Sequence, residues 1–341
     1  MIIDQGPLNS QDGRCRVLAL DGGGIKGTYT ASVLASLEAM TGKRICDYFD
    51  LITGTSTGGI IAVALGLQIP AAKILRLYID HGRGIFPMAE PGWKAKCAEM
   101  WRHTWFPKHS QAVLKDAIDE VICERAFGES KSRLVIPAFD AVRGKPQLFK
   151  TAHAPDYKQD YLLPATTVAL GTSAAPTYYP AYTDASGGCY LDGGVWANSP
   201  VMVGLLEATC ILGYPIEQVD LLSIGTTCSP FDVSKGRRKG GLASWNKGLI
   251  ELFMEAQCDA ALGQARLLTR GRMLRIDTMT RTGRFSLDNS NEITDLRALG
   301  EQASREHERE VSRRFLDVPV EEFSPCYTPM LNAEIVMADA C

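Results

Sequence analysis

Apolar residues along this chain fall into short solid runs that alternate with stretches of helical spacing. The first run, Arg-Val-Leu-Ala-Leu at residues 16–20, stops at Asp21 and three glycines, which predicts a buried strand ending in a tight loop. Over residues 28–40 the apolar positions Val33, Leu34, Leu37 and Met40 recur at helical intervals. A second short strand is expected over residues 48–53, and a small-residue, apolar helix over residues 58–67. Strand, loop, helix, strand, loop, helix is the pattern of a parallel sheet with crossover helices, hence an α/β fold.

Farther along, residues 69–126 read as mainly helical, interrupted by an aromatic and basic interlude over 93–109. Strands are expected at 134–139, 147–151, 189–191 and 219–224, with a small-residue helix at 168–177. Residues 229–241, rich in Gly, Lys and Arg, predict an exposed loop, followed by helices over about 245–269 and 294–315. No repeat or linker divides the sequence. Residues 1–341 are therefore expected to form one domain, with a recognisable core over about 16–226 and a mainly helical C-terminal portion over 228–341.

Composition narrows the function classes. The 341 residues are 45% hydrophobic and 22% charged, which supplies ample material for a core. A net charge of -3 offers no basic field for a nucleic acid polymer and argues against broad attachment to anionic membranes. The ten cysteines include no C-x-x-C pair, and with five histidines no zinc spacing appears. Residues 1–14 lack the basic and apolar regions of a signal peptide, and the longest apolar stretch, around 60–65, is too short to span a bilayer. A cytoplasmic protein is expected.

Two loops carry candidate chemistry. Asp21-Gly22-Gly23-Gly24-Ile25-Lys26-Gly27 opens a helix directly after a strand, where clustered N–H groups and the helix dipole can hold a phosphate or an oxyanion. Gly22, Gly24 and Gly27 also satisfy G-x-G-x-x-G, so oxyanion hole, dinucleotide loop and plain turn all remain open for this segment alone. Gly54-Thr55-Ser56-Thr57-Gly58 is G-x-S-x-G between a strand and a helix, the context of a nucleophile elbow; the plain alternative is a serine helix cap.

A serine hydroxyl needs a base in contact. The candidates His81, His103, His109, His153 and His307 do not follow the serine in a late loop after a strand, as a hydrolase triad would require. The base is therefore expected to be a carboxylate. Asp192, between the strand at 189–191 and Gly193-Gly194, is the best placed, although Asp-Gly is also a common turn pair.

Taken in order, these segments resemble the patatin family of lipid acyl hydrolases. The resemblance extends to Thr172-Ser173-Ala174-Ala175-Pro176-Thr177-Tyr178-Tyr179, to Ala197-Asn198-Ser199-Pro200 and to Leu222-Ser223-Ile224-Gly225-Thr226, covering about residues 16–226. It implies a three-layer fold with a mostly parallel central sheet flanked by helices. It further implies a Ser-Asp dyad: Ser56 attacks an ester carbonyl, Asp192 accepts its proton, and the N–H groups of Gly22, Gly23 and Gly24 hold the oxyanion. Lys26 occupies the family's basic position in that loop, either lending charge or capping carbonyls. The implied substrates are membrane phospholipids, with no metal or organic cofactor.

In size and layout the chain also resembles phospholipase effectors of cyclic-oligonucleotide antiphage signalling. That likeness implies a cyclic dinucleotide activator, a change in self-association towards a homo-oligomer, and action at the inner membrane surface. The basic loop at 234–241 is the candidate phosphate contact, its plain alternative being a solvated loop. Trp93, Trp101, Trp105 and Phe106, interleaved with Lys94, Lys96, Arg102 and Lys108, are either a membrane-facing patch or an inward-packed helical lid. Two other readings stay open: a non-catalytic lipid- or nucleotide-binding module, and an esterase of soluble acyl esters.

Overall fold

The computed structural model describes residues 13–87, 108–229 and 248–329. In chain order the principal elements are β1 (Cys15–Leu20), α1 (Gly27–Thr41), β2 (Leu51–Gly54), α2 (Thr57–Gly66), α3 (Ala71–Ile85) and α4 (Gln111–Ile122). Then come β3 (Arg133–Asp140), β4 (Lys145–Lys150), α5 (Ala165–Thr172), β5 (Tyr182–Thr183), β6 (Cys189–Asp192), α6 (Gly194–Ala197) and α7 (Val201–Leu206). The last are β7 (Val219–Ile224), α8 (Gly248–Thr269), β8 (Met273–Ile276) and α9 (Ile293–Phe315).

The strands form one eight-stranded sheet in the order β5-β6-β3-β2-β1-β7-β8, with β4 also on β3. From β3 through β8 the strands are parallel, whereas β4, β5 and β6 pair antiparallel at one end. The fold is thus α/β with a mostly parallel sheet flanked by helices. Side chains alternate across each strand. Leu18, Leu20, Ile52, Leu134, Ile136 and Leu222 point into a core built with α1 to α5 and α9. Val17, Ala19, Leu51, Val135 and Leu221 point the other way, against Val201 and Leu205 of α7 and Leu262 and Ala265 of α8. Both faces are covered, as a parallel sheet requires.

The structure departs from the sequence reading in three places. Residues 45–48 form a turn of 3-10 helix, so the second strand is only Leu51–Gly54. The small-residue helix lies at Ala165–Thr172, since Pro176 lies in the run that was read as helix. Among the described residues of the mainly helical portion after 228 there is also a strand that the sequence reading lacks: β8 extends the sheet beside β7, while α9 lies along α1. The interlude over 93–107 and the basic loop over 234–241 lie outside the described residues.

One feature of register brings the site together. Residues 133–135 of β3 pair with β2, while 138–140 pair with β6 in the opposite sense. β4 pairs with residues 135–140, overlapping both, and so holds the other edge of β3. β2 and β6 therefore share an edge and run towards each other, with only Ile136 and Pro137 between their ends. The residues that follow β2 and those that end β6 must meet.

Candidate active site

Ser56 follows β2 and immediately precedes α2. Its backbone has φ 54 and ψ -123, a region that costs a side-chain-bearing residue about 1–3 kcal/mol and persists only where packing imposes it. Packing here is tight. A Cβ on Gly54 would collide with the carbonyl of Gly58, and one on Gly58 with the carbonyl of Leu20. The serine is thereby pushed out at the sharp turn, with its N–H donated to Thr172 Oγ1 at 3.0 Å. Thr172 Oγ1 in turn donates to the carbonyl of Pro137 at 2.5 Å, which ties the elbow to the gap between β2 and β6.

Asp192 is the last residue of β6 and is buried. Its Oδ1 accepts the Gly194 N–H at 2.6 Å, and it lines the same pocket as Ser56. Burial pushes the carboxyl up to about 6, with the Ser56 and Gly194 hydrogen bonds opposing the rise. A carboxylate in that range is ionised at neutral pH and basic enough to take a proton.

The glycine loop borders the same space, with one departure from expectation. The N–H of Gly22 is donated to the carbonyl of Asn198 at 3.0 Å, so this amide is committed within the fold. Gly23 and Gly24 line the pocket, Gly24 in the left-handed region at φ 57. Among the described residues, no acceptor is assigned to either N–H. Lys26 is not among the residues that line the pocket, and it caps the carbonyl of Thr227 at 3.2 Å. Asp21 is buried beneath the loop, its Oδ2 held by Arg275 Nη2 of β8 at 2.6 Å.

Ser56, Asp192, Gly23 and Gly24 open into a pocket of about 480 Å³ with largely apolar walls, including Ile60, Leu77, Ile85, Phe86, Leu114 and Phe253. No histidine lines it among the described residues. His81 pairs with Glu120, His153 with Glu207 and Thr151, and His307 bonds the Ala303 carbonyl. His109 is buried beside the pocket wall among Phe86, Tyr178 and Tyr179. His103 lies outside the described residues.

Residues 18–205 match the family model for patatin-like phospholipase. The chain belongs to the patatin-like phospholipase family. It is 37% identical over 243 residues to a cGAMP-activated phospholipase of Pseudomonas aeruginosa, covering 71% of each chain. To the cGAMP-activated phospholipase of Vibrio cholerae it is 30% identical over 340 residues, covering 90% of this chain and 96% of that one. Among solved structures, VipD from Legionella pneumophila aligns over 92% of this chain and 68% of its own, with a TM-score of 0.45 and 12% identity.

In this patatin-like phospholipase, two residues that pack against the glycine loop carry no local sequence signal for that place. Arg275 sits in a four-residue strand, Met-Leu-Arg-Ile, too short to show a period. Asn198 was visible as part of Ala-Asn-Ser-Pro, but its place beside the glycine loop is created by tertiary structure. Among the described residues no helix is long and apolar enough to cross a membrane.

Proposed function

We propose that the protein is a phospholipase that cleaves acyl esters of membrane phospholipids through a Ser56–Asp192 dyad, at the inner membrane surface, under control of a cyclic dinucleotide. The observation that carries this is Ser56, at a strained strand-to-helix turn, lining one apolar pocket together with the buried Asp192 carboxylate. Ser56 Oγ bonds to the ester carbonyl carbon as its proton passes to Asp192. The carbonyl electron pair moves onto oxygen, which the N–H groups of Gly23 and Gly24 stabilise. Collapse expels the lysophospholipid alcohol, which takes the proton from Asp192. Water then attacks the acyl-enzyme, gives its proton to Asp192 and releases the fatty acid, and Ser56 regains its hydrogen.

The apolar walls favour a lipid acyl chain over a small soluble ester. The names of the Pseudomonas and Vibrio relatives support a cyclic GMP-AMP activator for this chain. Such a ligand must bind the active state more tightly than the resting one, by about 2.7 kcal/mol for a ~100-fold shift. Self-association is the proposed form of the change, and Arg237, Arg238 and Lys239 are the residues proposed to contact phosphate.

The test is lipid mass spectrometry of phosphatidylethanolamine–phosphatidylglycerol vesicles treated with the full chain, with and without cyclic GMP-AMP. Fatty acid and lysolipid release that rises with the nucleotide, and is absent from Ser56→Ala, is expected. Hydrolysis confined to soluble esters would overturn the substrate class. Full activity unchanged by any cyclic nucleotide would overturn the regulation alone.

A further inference from the structure

Asn198 poses a problem of hydrogen-bond accounting. It is buried and lines the pocket, yet its Oδ1 has no donor. A carbonyl oxygen left unpaired in a buried position costs about 1–3 kcal/mol, and native structures rarely carry one without cause. On its other side, Asn198 Nδ2 donates to Cys258 Sγ at 3.3 Å and lies 3.5 Å from the carbonyl of Gly22, the limit of a hydrogen bond.

The unpaired end of the amide lies close to the two candidate catalytic residues. A Cβ placed on Gly22 would collide with Asn198 Oδ1 and lie 3.2 Å from Ser56 Cβ. One placed on Gly194 would lie 3.0 Å from Asp192 Oδ1 and 3.1 Å from Asn198 Oδ1. The amide tip therefore lies near both the nucleophile and the base, separated from them by glycines that have no side chain to block it.

A half-turn about the amide torsion pairs the oxygen and leaves the nitrogen without an acceptor until an anion forms. Oxygen and nitrogen of an asparagine amide are nearly the same size, and the hydrogen-bond network decides their order. After the half-turn, Oδ1 faces Cys258, whose thiol burial pushes up to about 12 and so keeps protonated as a donor. The Gly22 carbonyl keeps the Thr226 hydroxyl at 3.3 Å. Nδ2 then takes the unpaired position next to Gly22 and Gly194, at the edge of the pocket that Ser56 and Asp192 line.

We infer that Asn198 is a catalytic residue that donates its side-chain N–H to the oxyanion, alongside Gly23 and Gly24. The inference rests on the hydrolase reading above and adds a donor to it. The same residue explains the departure at Gly22: the Asn198 backbone carbonyl withdraws the Gly22 N–H from the site, and the Asn198 side chain supplies a replacement. Asn198 makes and breaks no covalent bond. It meets charge that exists only once the tetrahedral species forms, so it acts on kcat more than on KM.

The experiment compares Asn198→Ala and Asn198→Asp with the wild-type full chain, using a p-nitrophenyl ester and a fluorophosphonate that labels the active serine. Asp keeps the size of Asn but has no N–H to donate at neutral pH. Each variant is expected to lose roughly 10²–10³-fold in kcat with KM little changed, and to label more slowly by a similar factor. Cys258→Ala, which removes only the thiol that orients the amide, is expected to lose far less. In wild-type protein with ¹⁵N-labelled asparagine, one side-chain NH₂ signal is expected to move downfield when the phosphonate adduct forms. That readout stands even if the variants unfold.

Near-wild-type turnover in Asn198→Asp, or no shifted side-chain signal in the adduct, would overturn the assignment. An intact acylation burst followed by slow turnover would also overturn it, placing Asn198 at the deacylating water instead. Retained activity in Ser56→Ala would defeat the hydrolase reading itself, a separate outcome.

Discussion

Arg275 and Asp21, 254 residues apart in the chain, meet at 2.6 Å directly beneath the glycine loop. Arg275 also bonds Asp277 at 2.6 Å and the Ser223 hydroxyl at 2.7 Å, so one guanidinium fastens β8, β7 and the residue that launches Gly22 to Gly24. From above, the carbonyl of Leu287 accepts the Ile25 N–H at 2.9 Å. The strand β8 and the segment after it thus clamp the loop from both sides.

Removing the guanidinium leaves the buried Asp21 carboxylate beside the half-buried Asp277 carboxylate. Arg275→Met is expected to cost about 3–5 kcal/mol, the usual penalty for breaking a buried pair from one side. Burial already holds Asp21 above the ordinary aspartate range, with Arg275 opposing that rise. Without Arg275 its folded pKa climbs further. A group so raised contributes stability at low pH that is lost as pH rises through the folded pKa, so the deficit should be smaller at pH 5 than at pH 8. Denaturant unfolding of both proteins at the two pH values measures this, and an equal deficit at both would count against it.

The contrast between Ser56 and Arg275 shows what a sequence can display. The elbow is legible because strand, sharp turn and helix are contiguous, and small residues are required within five positions. Asp192 is legible only as an Asp-Gly-Gly after a strand; its partnership with Ser56 depends on β2 and β6 sharing an edge of β3, which no local pattern encodes. Arg275 and Asn198 act through contacts made across 254 and 176 residues. Nothing near them in sequence signals those contacts. For the same reason β8 is hidden: four residues paired with β7 cannot establish a period of two.

Activity should depend on a deprotonated Asp192. With its carboxyl at about 6, kcat/KM is expected to fall roughly tenfold per pH unit below that value. An ordinary histidine would give a similar limb, so variants must separate the two. His81→Gln and His307→Gln, which lie away from the pocket, should leave the limb in place. A limb that vanished in either would replace the carboxylate with a histidine base.

The strained turn at Ser56 makes a second stability prediction. Ser56→Ala and Ser56→Gly should both be inactive, but they should differ in stability. Alanine retains the Cβ that disfavours φ 54, whereas glycine adopts that conformation at little steric cost. Ser56→Gly is expected to be more stable than Ser56→Ala by about 1 kcal/mol, after the extra backbone entropy of glycine is subtracted. Side-by-side thermal unfolding decides it, and a more stable alanine variant would mean the elbow carries no strain.

Asp192→Asn should trade all activity for stability. Burial penalises the charge of the wild-type carboxyl and pushes it up to about 6 when folded, against 3.8 ordinarily. A carboxylate raised in this way favours folding below the unfolded pKa, and that contribution is lost as pH rises through about 6. At pH 7–8 the folded protein therefore bears the whole cost of a buried charge, about 3 kcal/mol for a shift of that size. Asparagine keeps an oxygen for the Gly194 N–H while carrying no charge. The variant should be more stable than wild type at pH 8, with the gain shrinking through pH 6 and absent near pH 4. Chemical denaturation across that range is the measurement. A variant less stable than wild type at pH 8 would show that the Asp192 carboxylate is stabilised by its surroundings, not strained by them.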